Sequence, residues 1–370
     1  MKFLVAIDSF KGSVSAAQAC AAVKSGILRA MPHATVVEKP IADGGEGTLE
    51  AMVPRDQRRE VEVSGPLFEK ISAQYGAVGD TAVIEMASAA GLTLVKEKDR
   101  NAGRTTTYGA GELILHALRG GFRKIMLTAG GSATNDGGCG MLAALGAVFR
   151  DADGREFLPT GDSLGRIAEV ELSGMAEGFF DCEFTVATDV KNPLLGENGA
   201  TFVYAPQKGL TEGQKERLET GMRHYSALIE QLSGIDVAVM EGAGAGGGIA
   251  VPLLAFAKTK ISSGIDTVLD VVDFSAHLAD TDAVITGEGR LDVQSLYGKA
   301  ISGVTTRAAA HGVPVYCFVG CVGDDEESLR RMGIRRIYTV ASRASSTEDS
   351  MQNAATYLSL LAEEFVRGLS

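Results

Sequence analysis

The residues best suited to chemistry are carboxylates placed where short apolar runs end. Asp8 follows Phe3-Leu4-Val5-Ala6-Ile7 and opens Asp8-Ser9-Phe10-Lys11-Gly12, and Asp43 opens Asp43-Gly44-Gly45-Glu46-Gly47-Thr48. Asp136 and Asp189 end two further strand–loop units, while Glu288 and Asp292 bracket Arg290 in Thr286-Gly287-Glu288-Gly289-Arg290-Leu291-Asp292. Asp-Gly and Gly-Gly pairs also make ordinary turns, but Asp43 to Gly47 carries more glycines, and a second acid, than a turn requires. Such a set suits phosphoryl transfer: a base orients or accepts a hydroxyl proton, a carboxylate helps hold Mg2+, and cations and amides neutralise the moving phosphoryl group.

Candidate cations are Lys11, Lys208 in Pro206-Gln207-Lys208-Gly209, and Arg290, whose planar fork fits a carboxylate. The plainer readings are solvated lysines and an Arg290–Asp292 pair. A loop follows the strand Lys124 to Thr128, running Ala129-Gly130-Gly131-Ser132-Ala133-Thr134-Asn135-Asp136-Gly137-Gly138. Its small residues would let amides approach an anion, and the helix after it offers its positive end.

Other kinds of site are missing or weak. There is no GxxxxGK[ST], no HRD with DFG, no GxSxG and no HExxH among the five histidines. Gly242-Ala243-Gly244-Ala245-Gly246-Gly247 satisfies GxGxxG formally and reads as a flexible loop able to close on ligand, or else as close backbone packing. An NAD(P)-dependent oxidoreductase acting on a small hydroxy acid would have to use it. A non-catalytic sugar-acid sensor is the other rival, although a basic DNA-reading segment is absent.

The elements that must position these groups follow from apolar patterning. Phe3 to Ile7 is a strand, Ser15-Ala16-Ala17-Gln18 a capping box opening a helix to about Ala30, and Thr35 to Lys39 a second strand. The alternation returns near the other end with a strand at Ala283 to Thr286, a helix at Ser302 to His311, strands at Pro314 to Val319 and Ile334 to Val340, and a closing helix at Met351 to Val366. Strands alternating with helices call for a parallel sheet with right-handed crossovers. Between these ends, Glu60 to Val63, Ile71 to Ala77 and Thr81 to Met86 are closely spaced strands, and Tyr108 to Leu118 begins a new alternation. With 370 residues, more than one core usually holds, we expect an α/β protein of two domains, residues 1–65 with 281–370 forming a discontinuous first domain and 66–280 a second α/β domain inserted into it.

A net charge of −12 and the lack of a basic run interleaved with aromatics argue against a nucleic-acid partner. Five cysteines without a CxxC pair read as reduced thiols of a cytoplasmic protein. The apolar start is too short for a signal peptide, and Ile249 to Ala257 falls far below the ~20 residues of a membrane span. Whether the chain forms a homo-oligomer is left open.

Taken in order, the six segments around Asp8, Asp43, Gly130, Asp189 in Ala187-Thr188-Asp189-Val190-Lys191-Asn192-Pro193-Leu194, Lys208 and Glu288 resemble the bacterial glycerate kinase family, type 1, across essentially the whole chain. The resemblance implies a flavodoxin-like or Rossmann-like parallel-sheet domain interrupted by a second α/β domain, with the active site in the cleft between them. It also implies ATP-dependent phosphorylation of D-glycerate to 2-phospho-D-glycerate, with 3-phosphoglycerate as the other product the residues leave open. On this basis Asp189, Lys11 and Asp43 are expected to be catalytic, Asp189 as base, although Asp43 and Asp189 could exchange roles. Asp43 and Glu46 are expected to hold Mg2+. Arg290, Asp8, Ser132, Asn135, Asp136 and Asp292 are expected to bind substrate, and Gly44, Gly45, Gly47, Thr48, Gln207, Lys208 and Glu288 to bind nucleotide. Asp8, Asp43, Asp136, Asp189 and Glu288 should then converge.

Overall fold

The computed structural model describes residues 1–45, 47–291, 300–323 and 333–369. Glu46 and Asp292 therefore lie outside the described residues. In chain order the strands are β1 Lys2–Ile7, β2 Thr35–Glu38, β3 Arg59–Ser64, β4 Lys70–Val78, β5 Thr81–Glu85, β6 Lys124–Thr128, β7 Val148–Arg150, β8 Glu169–Glu171, β9 Glu183–Ala187, β10 Lys258–Ser262, β11 Ala283–Gly287, β12 Arg290–Leu291, β13 Val315–Val319, β14 Cys321–Val322 and β15 Ile334–Thr339.

The chain divides into two compact units, one of Met1–Asp43, Glu50–Pro54 and Ser263–Ser370, the other of Gly44–Leu49 and Arg55–Ser262. These divisions differ from the expected 65/66 and 280/281. The reason is pairing: β3 runs antiparallel along β4 from Arg59↔Tyr75 to Ser64↔Lys70, so it goes with the second unit. Similarly, the helix Gly264–Val271 goes with the first unit, because Arg307 pairs with Asp266 and Asp270 and Gly303 packs so closely that a Cβ there would come within 2.5 Å of Ile265.

In the first unit all strand pairs of the five-stranded sheet are parallel, in the order β15-β13-β11-β1-β2. Numbered within the unit this is the order 2-1-3-4-5 of flavodoxin-like sheets. Phe3 to Ile7 are wholly buried, as a central strand covered on both faces requires. One face packs Phe3, Val5, Ile285 and Phe318 against the helices Ala16–Ala30 and Ala354–Arg367. The other packs Cys317 and Val319 against Ile301 of the helix Ala300–Ala310. Gly26 lets the first two helices meet, since a Cβ there would fall 2.0 Å from the Ser359 carbonyl oxygen. The expected capping box is present: the Ser15 hydroxyl accepts from the Gln18 amide, and the Gln18 side chain from the Ser15 amide. The closing helix is shorter than its periodicity suggests. Asn353 ends a separate helix, Thr347–Gln352, before Ala354–Arg367 begins.

The second unit holds a six-stranded mixed sheet, β10-β9-β6-β5-β4-β3, parallel from β10 to β5 and antiparallel thereafter. Its core gathers Ile84, Leu127, Phe184 and Val186 with Leu113, Ile114, Met222 and Tyr225 from the helices Tyr108–Arg119 and Glu212–Ser233. Among the described residues no helix is long and apolar enough to cross a membrane.

Candidate active site

Ligands of open α/β sheets gather where strand order reverses, beyond the carboxyl ends of the strands. In the first unit that point lies between β1 and β11. The chain places Asp8 directly after β1 and Glu288 directly after β11, and the Asp8 amide donates to the Gly287 carbonyl at 2.9 Å. Gly287 has no substitute here, because a Cβ would sit 1.8 Å from the Phe318 carbonyl oxygen. Past β2 the chain stays on β1, through Lys39 N–H to the Val5 carbonyl and Ile41 N–H to the Ile7 carbonyl, and this guides Asp43 to the same end of the sheet.

Lys11 reaches that end on a small loop closed by Phe10–Val14 pairing, with Phe10 buried as its anchor. Arg290 arrives on β12, which pairs with β14. These five side chains, Asp8, Lys11, Asp43, Glu288 and Arg290, line one cavity of about 630 Å3 whose lining belongs entirely to the first unit. Its other wall comes from Val340 to Met351, including Ser345, Thr347, Ser350 and Met351. Sequence reasoning missed that wall. The signal was the hydroxyl-rich Ser345-Ser346-Thr347, where Ser346 caps the short helix by accepting from the Asp349 amide.

The cluster carries electrostatic strain. Burial pushes the Asp8 carboxyl up to about 7, and neighbouring Asp43 and Glu288 add to the rise, opposed by the Ser9 amide and by Lys11. Because the folded value exceeds the unfolded one, stability falls as pH rises from about 4 to about 7, a loss on the order of a few kcal/mol. Asp8→Asn is therefore expected to raise the melting temperature of the Mg2+-free protein by several degrees at about pH 8. It should give no gain at about pH 4, and a thermal melt showing equal effects at both pH values would contradict this account.

Mg2+ prefers oxygen donors and is commonly bound by one or two carboxylates together with substrate phosphates. Among the described residues no three His, Cys, Asp or Glu side chains are arranged to hold a metal ion by themselves. The cavity's acids fit the mixed kind of site, in which nucleotide oxygens complete the coordination.

The second unit disposes of its expected site residues differently. Asp136 is fully buried, and its carboxylate accepts from the Thr107 amide and hydroxyl at 2.8 and 2.9 Å and from the Gly138 and Gly140 amides at 3.1 and 3.4 Å. The Thr107 hydroxyl in turn accepts from Met141 N–H. The amides opening the helix Cys139–Ala144 are thus engaged by the protein's own groups, which corrects the expectation that this helix end and Asp136 face a ligand. Asn135 is equally buried and donates to the Thr201 hydroxyl at 3.2 Å. Lys208 is buried too and donates to the Ser132 hydroxyl and the Thr134 carbonyl, whereas Gln207 is exposed. Of the five acids named together from the sequence, Asp8, Asp43 and Glu288 line one cavity of the first unit, and Asp136 and Asp189 belong to the second unit.

Asp189 is exposed just beyond β9, where the Val190 amide bonds to the Thr188 hydroxyl. Gly44, Gly45, Gly47 and Thr48 belong to the second unit. Thr48 is buried, its hydroxyl donating to the Gly45 carbonyl, and a Cβ on Gly130 would meet the Gly45 Cα at 3.3 Å, so the two glycine-rich loops touch through bare backbone. The Gly242 to Gly247 run is no flexible closing loop. A Cβ on Gly247 would meet the Thr134 carbonyl oxygen at 2.0 Å, and Gly137 N–H donates to the Gly247 carbonyl, so its glycines serve backbone packing.

Residues 3–370 match a family model described as the glycerate kinase family. The chain is 41% identical over 358 residues to the glycerate 2-kinase of Escherichia coli (strain K12), covering 96% of this chain and 94% of that one. It is 40% identical over 373 residues to the glycerate kinase of Bacillus subtilis (strain 168), covering 100% and 98%. A crystal structure from Salmonella typhimurium LT2 that carries the name glycerate kinase 2 superposes with a TM-score of 0.89 at 40% identity, covering 100% of this chain and 98% of that one.

Proposed function

The chain belongs to the glycerate kinase family, and on that premise we propose that it transfers the terminal phosphoryl group of ATP to the 2-hydroxyl of D-glycerate, giving 2-phospho-D-glycerate and ADP. The observation that carries this reading is the meeting of Asp8, Asp43, Glu288, Lys11 and Arg290 in one cavity at the switch point of a flavodoxin-like sheet. At about 630 Å3 the cavity has the size of nucleotide and cofactor sites and far exceeds a three-carbon acid. We read the two compact units as the two domains of the enzyme and the cytoplasm as its compartment.

The roles follow from group chemistry. The glycerate hydroxyl oxygen attacks the terminal phosphorus, the bond from phosphorus to the ADP oxygen breaks, and the hydroxyl proton passes to the Asp189 carboxylate. Lys11 neutralises charge on the moving phosphoryl group. Asp43 and Glu46 would hold Mg2+, which when bound screens the nucleotide phosphates. Arg290 orients glycerate through a two-pronged contact to its carboxylate. Arg290→Lys is accordingly expected to raise the KM for glycerate about tenfold or more and leave that for ATP within about threefold. Equal changes in both constants would remove Arg290 from this role.

Phosphorus NMR of a reaction containing D-glycerate and Mg·ATP tests the whole reading. A 2-phosphate couples to one carbon-bound proton and gives a doublet, whereas a 3-phosphate couples to two and gives a triplet. A spectrum with ATP intact sinks the proposal, and glycerate-dependent reduction of NAD(P)+ to NAD(P)H would favour the oxidoreductase instead.

A further inference from the structure

Under the turn Gly130-Gly131-Ser132 the second unit keeps a lysine almost entirely away from solvent, with Lys208 only 3% exposed. Its Nζ donates to the Ser132 hydroxyl at 2.7 Å and to the Thr134 carbonyl at 2.8 Å. The backbone holds it there rigidly: Lys208 ends a 3-10 turn begun by Pro206, and Gly209 follows at φ 87°, so close to Arg100 that a Cβ would come 2.2 Å from the Arg100 carbonyl oxygen. A buried ammonium costs free energy unless it is both hydrogen-bonded and neutralised. Asp136 acts on it through space, but the Asp136 carboxylate spends its hydrogen bonds on Thr107, Gly138 and Gly140.

The turn above the lysine has donors to spare. Ala129 N–H bonds to the Ala187 carbonyl and Ala133 N–H to the Ala90 carbonyl, whereas among the described residues the amides of Gly130, Gly131 and Ser132 between them have no acceptor. Gly130 is half-buried and Gly131 exposed. Consecutive backbone amides of this kind form concavities that take up anionic oxygen.

We propose that Lys208 is a positioning residue: from inside the unit it fixes the 130–134 turn and supplies the positive charge behind an oxyanion held by the Gly130, Gly131 and Ser132 amides, without touching that oxyanion. The sequence had suggested direct contact between Lys208 and nucleotide; the geometry gives it a partner on the protein instead. The inference rests on the kinase reading, in which both substrates carry the required chemistry, glycerate as carboxylate and ATP as phosphate.

The charge is also adjustable. Burial draws the Lys208 ammonium down to about 7, with Asp136 working the other way. The groups facing it are Asp136, the Ser132 hydroxyl and the Thr134 carbonyl, with the Arg100 backbone beyond Gly209. The ammonium is present below about pH 7 and lost above it, so oxyanion affinity should fall as pH rises, by about tenfold per unit at the limit.

Steady-state kinetics of Lys208→Met tests this. The expected result is a KM raised about tenfold or more for one of the two substrates, with the other KM and kcat within about threefold; the affected substrate identifies the oxyanion as carboxylate or phosphate. In the wild type that same KM climbs above about pH 7, and in the variant it no longer depends on pH across this range. Two unchanged KM values overturn the proposal, as does a fall in kcat alone. Should the variant not fold, the wild-type profile decides, because KM values flat from about pH 6 to about pH 9 overturn it equally. Calorimetric titration with inorganic sulfate separates this inference from the kinase reading. A wild-type protein that never phosphorylates glycerate, yet binds sulfate more weakly above about pH 7, loses the reaction and keeps the turn site.

Discussion

Asp189→Asn is expected to lower kcat by about 10^2 to 10^4-fold while both KM values stay within about threefold, as removal of a proton acceptor does when ground-state binding is spared. The exposed carboxylate sits just past β9, where Val190 N–H bonds back to Thr188. An amide there keeps shape and loses basicity. The informative comparison is Asp43→Asn. A carboxylate that holds Mg2+ should, when removed, raise the Mg2+ concentration needed for half-maximal rate, and excess Mg2+ should restore part of the activity. If Asp43→Asn instead abolishes turnover at every Mg2+ concentration and Asp189→Asn responds to Mg2+, the two roles are exchanged. Full turnover in Asp189→Asn, with both substrates bound normally, ends the base assignment.

Asp136→Ala should act on folding before it acts on catalysis. Its carboxylate satisfies the amides of Thr107, Gly138 and Gly140 and the Thr107 hydroxyl inside a fully buried site, and the lost interactions would leave those donors unpaired. A cost of about 3–5 kcal/mol is expected, the range found when a buried charged network loses one member. Denaturant titration would show it as a lower midpoint with an unchanged slope. Asp136→Asn, which keeps one carbonyl acceptor, should lie between the two. A variant that unfolds like the wild type and binds glycerate poorly would return Asp136 to the substrate.

The sequence carried the site as far as local chemistry reaches. Asp8 and Glu288 were legible because a strand-end carboxylate follows directly from an apolar run, and parallel pairing of β1 with β11 then brings the two to one place. Asp136 misled because an acid in a glycine-rich loop reads the same whether its carboxylate points to solvent or into the unit; the direction is set by Thr107, far away in sequence. The inward direction of Lys208 was hidden similarly, since the Ser132 hydroxyl and the Thr134 carbonyl that receive it lie far away in sequence. The unit to which β3 goes was hidden for a related reason: six residues of strand say nothing about their partner until β4 is in place. The wall from Val340 to Met351 went unnoticed because hydroxyls before a helix serve a cap and a ligand equally well.

The position of β1 between β2 and β11 also fixes an order of events during translation. When the ribosome has delivered β1 and β2, the strand that must flank β1 on its other side has not yet been made, and it arrives only after the whole Arg55–Ser262 stretch has emerged. That stretch carries its own sheet and core and can settle first, as units of nascent chains generally do. Until then the wholly apolar Phe3 to Ile7 waits with one edge open to mispairing.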